Sequence, residues 1–310
     1  MTELRIAPAR TRDELTAFLA IGQVVHPGPK PSVDGLEHEL ATSASTVFLL
    51  AWLADVPAAG GTGKTSSVGD AYYTMVRVLP AYRSAGVGTS LLAALSDRAR
   101  SAGRGSLIGR LREDDHQARR FVERRGFQVL SRECPVSLDL SRFNEPPGVL
   151  PGVEIVSLVE RPDLIEAAYE VHSTALRDVP VGTEAPSASS YVEWRAETVE
   201  APGALPDLSL VALVDGEAVG WTGLAALSGD EPTAENLLTG VLPEARGRGI
   251  ATALKVEQAR RARQAGFLRI ETVNDEANAP MRAVNARLGF EAEPAWLLMQ
   301  GPLVGPRGQP

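Results

Sequence analysis

Cysteine is almost absent from this chain. Cys134 is the single thiol, so no disulfide can form within the 310 residues and nothing suggests an oxidising compartment. Histidine is scarce too. His26, His38, His116 and His172 show no metal-ligand spacing, which speaks against a zinc site and leaves metal out of the expected cofactors. No run approaches the roughly 20 apolar residues of a membrane span. The opening MTELRIAPARTRDEL is charged too early for a secretory signal. A cytoplasmic protein with no membrane partner is expected. Positive charge is in deficit, with 31 Lys and Arg against 39 Asp and Glu and a net charge of −8. That speaks against a general nucleic-acid binder, so no nucleic-acid partner is expected, and it suits a cationic small substrate.

Two tempting motifs are missing their context. AAGGTGKTSS (58–67) resembles a nucleotide P-loop, but the pattern's first glycine is Ala58 and no apolar helix follows, so a flexible hairpin loop is expected. Cys134 in RECPVSLDL reads as a strand residue facing a core, not as a nucleophile.

What is present is said twice. PAYRSAGVGTSLLAALSDRARSAG (80–103) and PEARGRGIATALKVEQARRARQAG (243–266) share a proline, an arginine, a glycine pair and a helix ending at Ala-Gly. The arginines, Arg83 and Arg246, lie 163 residues apart, and so do the Gly-Phe pairs at Gly126-Phe127 and Gly289-Phe290. Two copies of one domain explain a register kept that long. SRFNEPPGVLPG (141–152) is rich in proline and glycine and suits the link between them. In the second copy, LSLVALV (208–214), the turn DGE, AVGWTGLAAL (218–227), AENLLTGVL (234–242) and LRIETVN (268–274) read as strands, and AWLLMQ (295–300) as the closing strand. In the first copy, Val87, Leu91, Leu95, Ala99 and Ala102 share one helix face.

A helix start leaves backbone N–H groups unpaired and carries about half a positive charge. Glycines let the backbone approach a ligand closely, and arginines add charge-assisted hydrogen bonds. A glycine turn flanked by Arg246 and Arg248 at a helix mouth therefore points to phosphate. It occurs twice, each time between a strand and a helix.

Both turns match the Gln/Arg-x-x-Gly-x-Gly/Ala signature of the GNAT family of N-acetyltransferases. Arg83, Gly86 and Gly88 carry it in the first copy, and Arg246, Gly249 and Ala251 in the second. The chain resembles two tandem domains of that family over nearly its whole length, and its composition suggests a bacterial source. The resemblance implies an α+β fold, a mixed and mostly antiparallel sheet flanked by helices. Residues 1–144 would form the N-terminal domain, 145–152 the linker, 153–301 the C-terminal domain and 302–310 a flexible tail.

By resemblance the polyphosphate belongs to acetyl-CoA, serving as co-substrate. Arg246, Gly247, Arg248, Gly249, Ile250, Ala251 and Thr252 would hold its pyrophosphate in the second copy. A family base is a carboxylate eleven residues ahead of the arginine: Glu235 in the second copy, where the first has Tyr72. Glu271, on the neighbouring strand, is the alternative base. The N–H of Val241 would bind the oxyanion and touch the coenzyme, with Gly240 forming a bulge that admits the pantetheine arm. Where many relatives carry a tyrosine acid, this chain has Asn285 and Val122. Asn285 can donate a hydrogen bond to the leaving group but cannot protonate it. Thr272, Asn274, Asn278, Pro280 and Met281 resemble a bacterial subgroup, with Asn278 either a helix cap or a coenzyme contact.

The acceptor pocket would use Asp178, Glu184, Tyr191 and Trp194, while Trp221 and Trp296 read as core. The first copy has REDDHQARRF beside its phosphate site, and three acids there are awkward for a polyanion. It is expected to be degenerate. The reading is an acetyl-CoA-dependent N-acetyltransferase of a small primary amine, working through a ternary complex in the C-terminal domain. The alternatives are a non-catalytic acyl-CoA-binding module and a protein N-acetyltransferase. Oligomeric state is open.

Overall fold

The structure is a computed structural model that describes residues 3–146, 150–181 and 186–305. It divides into two units, Met1–Arg132 with Ala295–Pro310, and Glu133–Pro294.

Unit 1 opens with β1 (Leu4–Pro8), α1 (Arg12–Val25) and α2 (Val33–Thr42). A capping box starts α1: Thr11 accepts from the Glu14 N–H while the Glu14 carboxylate accepts from the Thr11 N–H. Then come β2 (Val47–Leu53), β3 (Val56–Thr65), β4 (Ala71–Val78), α3 (Val87–Ser101), β5 (Ser106–Arg112) and α4 (His116–Glu123). β6 (Gln128–Asp139) leads out of this unit. The strands run β1-β2-β3-β4-β5. Neighbours are antiparallel except β4 and β5, which are parallel. Val87, Leu91, Leu95 and Ala99 of α3 are buried, as their spacing requires, while Ala102 caps the helix end and is exposed.

Unit 2 repeats the plan. It holds β7 (Glu154–Ser157), α5 (Ile165–Leu176), α6 (Tyr191–Thr198), β8 (Leu210–Val214), β9 (Glu217–Leu227), β10 (Thr233–Val241), α7 (Ile250–Gln264), β11 (Arg269–Asp275), α8 (Ala279–Arg287) and the short β12 (Glu291–Ala292). Asp215 and Gly216 both have positive φ, 52° and 85°, and close the β8–β9 hairpin that DGE signals. The order is β7-β8-β9-β10-β11-β6, with only β10 and β11 parallel. α5 packs on one face and α7 on the other. Trp221 joins Val171 and Trp194 on the α5 side, and Ala234 joins Val256 and Ala259 on the α7 side.

Four expectations change. AAGGTGKT is no loop but β3, paired to β2 and β4, and its small residues let Phe18 of α1 and Leu91 of α3 close on opposite faces. AWLLMQ does not close the second copy. It lies in β13 (Trp296–Pro302), antiparallel to β5 of unit 1, while Glu133–Asp139 of β6 lies beside β11. The register is the same in both places: Trp296 faces Arg112, and Glu133, 163 residues earlier, faces Asp275. Each copy thus takes its last strand from the other copy's segment. Alternating apolar residues report a strand but not its neighbour. The tail is also anchored at its start, where Val304 is fully buried and its N–H donates to Ser96 Oγ at 3.0 Å. Residues 306–310 lie outside the described residues. Finally, Cys134 sits in β6 but is half-buried, outside the core clusters.

Candidate active site

The two glycine turns fold alike. Gly86 and Gly249 are the N-caps of α3 and α7, with φ of 80° and 82°, a left-handed conformation that costs glycine little. Ser84 and Gly247, each one past the arginine, are left-handed as well, at 64° and 74°. Among the described residues, no side chain caps either helix. The first-turn amides therefore stay open to an anion. Each arginine is braced to the strand before it: Arg83 Nε donates to Val78 O at 3.4 Å and Arg246 Nε to Val241 O at 3.0 Å. The outer nitrogens differ. Arg83 Nη1 donates to Gln117 at 3.2 Å, whereas Arg246 Nη2 pairs with Asp178 at 2.5 Å.

The parallel pairs beside these turns are short. β10 and β11 match only from Thr233/Arg269 to Glu235/Glu271, and β4 and β5 only from Ala71/Ser106 to Tyr73/Ile108. Beyond that the ladder ends in both units. Leu242 N–H donates to Val219 O at 2.9 Å, so antiparallel alternation turns the Val241 N–H away from β9, toward the opening beside β11. Val78 stands the same way, next to Leu79 N–H bonded to Ala58 O at 3.0 Å.

One feature separates the copies. β10 slips register against β9 between Asn236 and Thr239, so Leu237 and Leu238 oppose Gly223 alone. β4 pairs with β3 without a slip. The bulge lies ahead of Gly240, not at it. Gly240 pairs squarely with Trp221 and is glycine for another reason: a Cβ there would lie 2.3 Å from Ala175 Cβ of α5. The extra residue shifts the alignment by one. Glu235 corresponds to Tyr73, not to Tyr72 eleven residues ahead of Arg83. Tyr72 corresponds to Ala234 and is buried against Leu92 and Ala99 of α3.

Glu235 alternates to the face away from α7 and has Glu271 as its register partner on β11. Two of the expected carboxylates thus come together. Asp178 is tied to Arg246 instead of lining an open pocket. Tyr191 opens α6 and rests edge-on against Tyr169, with centroids 5.5 Å apart. Trp194, 2% exposed, is core, not pocket wall. Trp221 is core as expected, while Trp296 is only half-buried, against His26. Glu184 lies outside the described residues. Asn278 caps α8, its Oδ1 accepting from Met281 N–H at 3.3 Å. Asn285 is 1% exposed, and among the described residues neither of its amide atoms has a partner. Among the described residues, no group of three or more His, Cys, Asp or Glu gathers at metal-binding range. No helix there is long and apolar enough to cross a membrane.

Composition alone did not reveal a cleft of about 530 Å³ in unit 1, bounded by Arg83, Gly86, Gly88, Thr89, Phe121 and Met299. Val76, Leu92 and Leu111 line it as well. The nearby acids are engaged: Glu113 with Arg132, Asp114 with Arg112, and Asp115 as the cap of α4. Two of the three acids in REDDHQARRF thus have an arginine partner, and the third caps a helix. His26, also on the cleft, is pulled down to about 4, first by burial and then by the charge of Arg77.

The sheet order and glycine helix starts, repeated in both units, define a tandem α+β fold of the acetyltransferase type. The acetyltransferase (GNAT) family profile matches residues 14–127 and 168–290, and the chain belongs to that family. It is an acyltransferase of a family whose co-substrate is acetyl-CoA. A mycothiol acetyltransferase of Saccharomonospora viridis is 29% identical over 236 residues, covering 72% of this chain and 73% of that one. A tandem GNAT protein from the clavulanic acid biosynthesis pathway has a TM-score of 0.77 at 20% identity, over 97% and 99% of the chains. A GCN5-related N-acetyltransferase from Sphaerobacter thermophilus gives 0.73 at 18%, over 97% and 96%. At these identities the two structures speak for the fold.

Proposed function

We propose that the chain transfers an acetyl group from acetyl-CoA to a small primary amine within a ternary complex, and that the chemistry belongs to unit 2. One observation carries this reading. The β10 bulge, absent from β4, turns Glu235 out beside Glu271 where the strands part, and the Val241 N–H turns into the same opening. The amine nitrogen forms the new bond to the acetyl carbon, the C–S bond breaks, and the coenzyme thiolate leaves. Glu235, directly or through water, takes the amine proton. Val241 N–H stabilises the oxyanion. Arg246 to Thr252 hold the pyrophosphate at the uncapped mouth of α7. The buried, unpartnered amide of Asn285 is suited to hydrogen-bond the coenzyme arm. Paired carboxylates favour a cationic amine over an anionic acceptor.

Unit 1 has Tyr73 and Ile108 where unit 2 has Glu235 and Glu271, so it lacks the base. Its cleft supports coenzyme binding without turnover. The mycothiol acetyltransferase relative puts mycothiol-type acceptors on the amine panel.

Glu235→Gln tests the reading by thiol release from acetyl-CoA over that panel. Removal of a general base costs about 100-fold or more in kcat, while the coenzyme Kd stays near wild type. Unchanged turnover across pH 6–9 removes Glu235 as the base.

A further inference from the structure

Under the bulge lies a polar cluster in a place where the first copy is apolar. Lys255 and Gln258 of α7 are buried, at 4% and 2% exposure, facing Asn236, Thr222 and Thr239. The positions 163 residues earlier are Leu92 and Leu95, also buried.

A bulge strips main-chain groups of their ladder partners, and buried groups need replacements. The cluster supplies them. Asn236 Nδ2 donates to Gly223 O, opposite the bulge, at 3.1 Å, and Thr272 Oγ1 donates to Asn236 O at 3.0 Å. Asn236 Nδ2 also reaches Gln258 Oε1 and Thr222 Oγ1, each at 2.9 Å. Asn236 Oδ1 accepts from Lys255 Nζ at 3.0 Å and from Thr239 Oγ1 at 3.2 Å.

A lysine ammonium only donates, so in its charged form Lys255 fixes which amide atom faces it. Oδ1 must turn to Lys255, and Nδ2 is thereby aimed at the Gly223 carbonyl. Gln258 is oriented in turn by its own donation to Leu208 O at 2.9 Å. Among the described residues the Lys255 ammonium forms no ion pair; besides Asn236 it meets the face of Phe290, 5.0 Å from the ring centre. A cation buried without a counter-charge is costly. A merely apolar core would be the cheaper solution, as Leu92 and Leu95 show.

Resting on the proposed role of Glu235, we infer that Lys255 and Gln258 are positioning residues: through Asn236 they hold the β10 bulge, and the bulge is what turns Glu235 outward. Because strand side chains alternate, a one-residue slip reverses the face. Without the bulge, the residue eleven ahead of Arg246 would point under α7, as Tyr72 points under α3.

The test transplants the first copy's residues, Lys255→Leu with Gln258→Leu, beside Lys255→Gln, which keeps a donor without the charge. Misplacing a reacting group by about 1 Å can cost about 100-fold. The double variant is expected to keep wild-type Tm or exceed it and to bind acetyl-CoA normally. Its kcat, with acetyl-CoA and the amine that turns over on the panel, should fall about 100-fold. Lys255→Gln should recover most of that loss. A crystal structure or amide exchange of the double variant should show the 236–239 ladder altered. A purely structural role predicts the reverse, lower Tm with kcat per folded molecule unchanged, and that result overturns the inference. So does an intact bulge in the double variant. If the double variant does not fold, Lys255→Gln with wild-type kcat and bulge supports the inference, and Lys255→Gln with the bulge lost and kcat kept overturns it. Glu235→Gln, measured in parallel, separates the two ideas: wild-type turnover there sinks the base, while the bulge is judged on the ladder alone.

Discussion

Arg246 is held at two points. Its Nε is spent on Val241 O and its Nη2 on Asp178, both partners at the edge of the phosphate mouth. The pair is exposed, so it adds at most about 1 kcal/mol of stability. It does hold a carboxylate where phosphate is expected. Asp178→Asn should therefore leave Tm nearly unchanged and lower the acetyl-CoA Kd several-fold by titration calorimetry; a weaker Kd would mean that Asp178 orients Arg246 usefully. Buried bases make the second prediction. Burial pulls His26 and His172 down to about 4, below the 6.5 of a free histidine. Between those values the unfolded chain binds more protons, so stability falls as pH drops from 6.5 toward 4. His172→Gln should flatten that slope in urea titrations. Lys255 works at the other end. Burial lowers it from 10.5 to about 7, so stability rises with pH across that window, and Lys255→Met should remove the rise.

At the scale of elements, the sequence was most readable where a local conformation demands particular residues. The αL caps at Gly86 and Gly249, the Asp215-Gly216 hairpin and the buried face of α3 follow from local chemistry. The bulge did not. Counting eleven residues back from each arginine reaches Glu235 and Tyr72, and only the ladder reveals that the two strands are out of step by one. The cue was present as Lys255 and Gln258 on a helix face that should be apolar, a departure from the pattern that marks a site. Gly240 shows the same limit. Its need comes from α5 across the sheet, and Gly240→Ala should cost about 1–3 kcal/mol by overpacking against Ala175, read as a fall in Tm. A Tm unchanged by that substitution would show that α5 can move aside.

For the whole molecule, the exchange of closing strands has a testable result. β13 belongs to unit 1 and contributes Leu297 and Met299 to its core, with Val304 just beyond. Deleting residues 296–310 should therefore expose amides of β4 and β5 to hydrogen exchange and leave β10 and β11 protected. Loss of protection in β10 and β11 instead would return the strand to the second copy. The repeat and the two glycine mouths with their arginines are properties of order along the chain, and they were enough to identify a tandem GNAT fold. Which strand closes which sheet, and which way Glu235 faces, were decided by tertiary structure. Strand pairing joins residues more than a hundred positions apart, and a single inserted residue reverses a side chain, so neither outcome is encoded in local pattern.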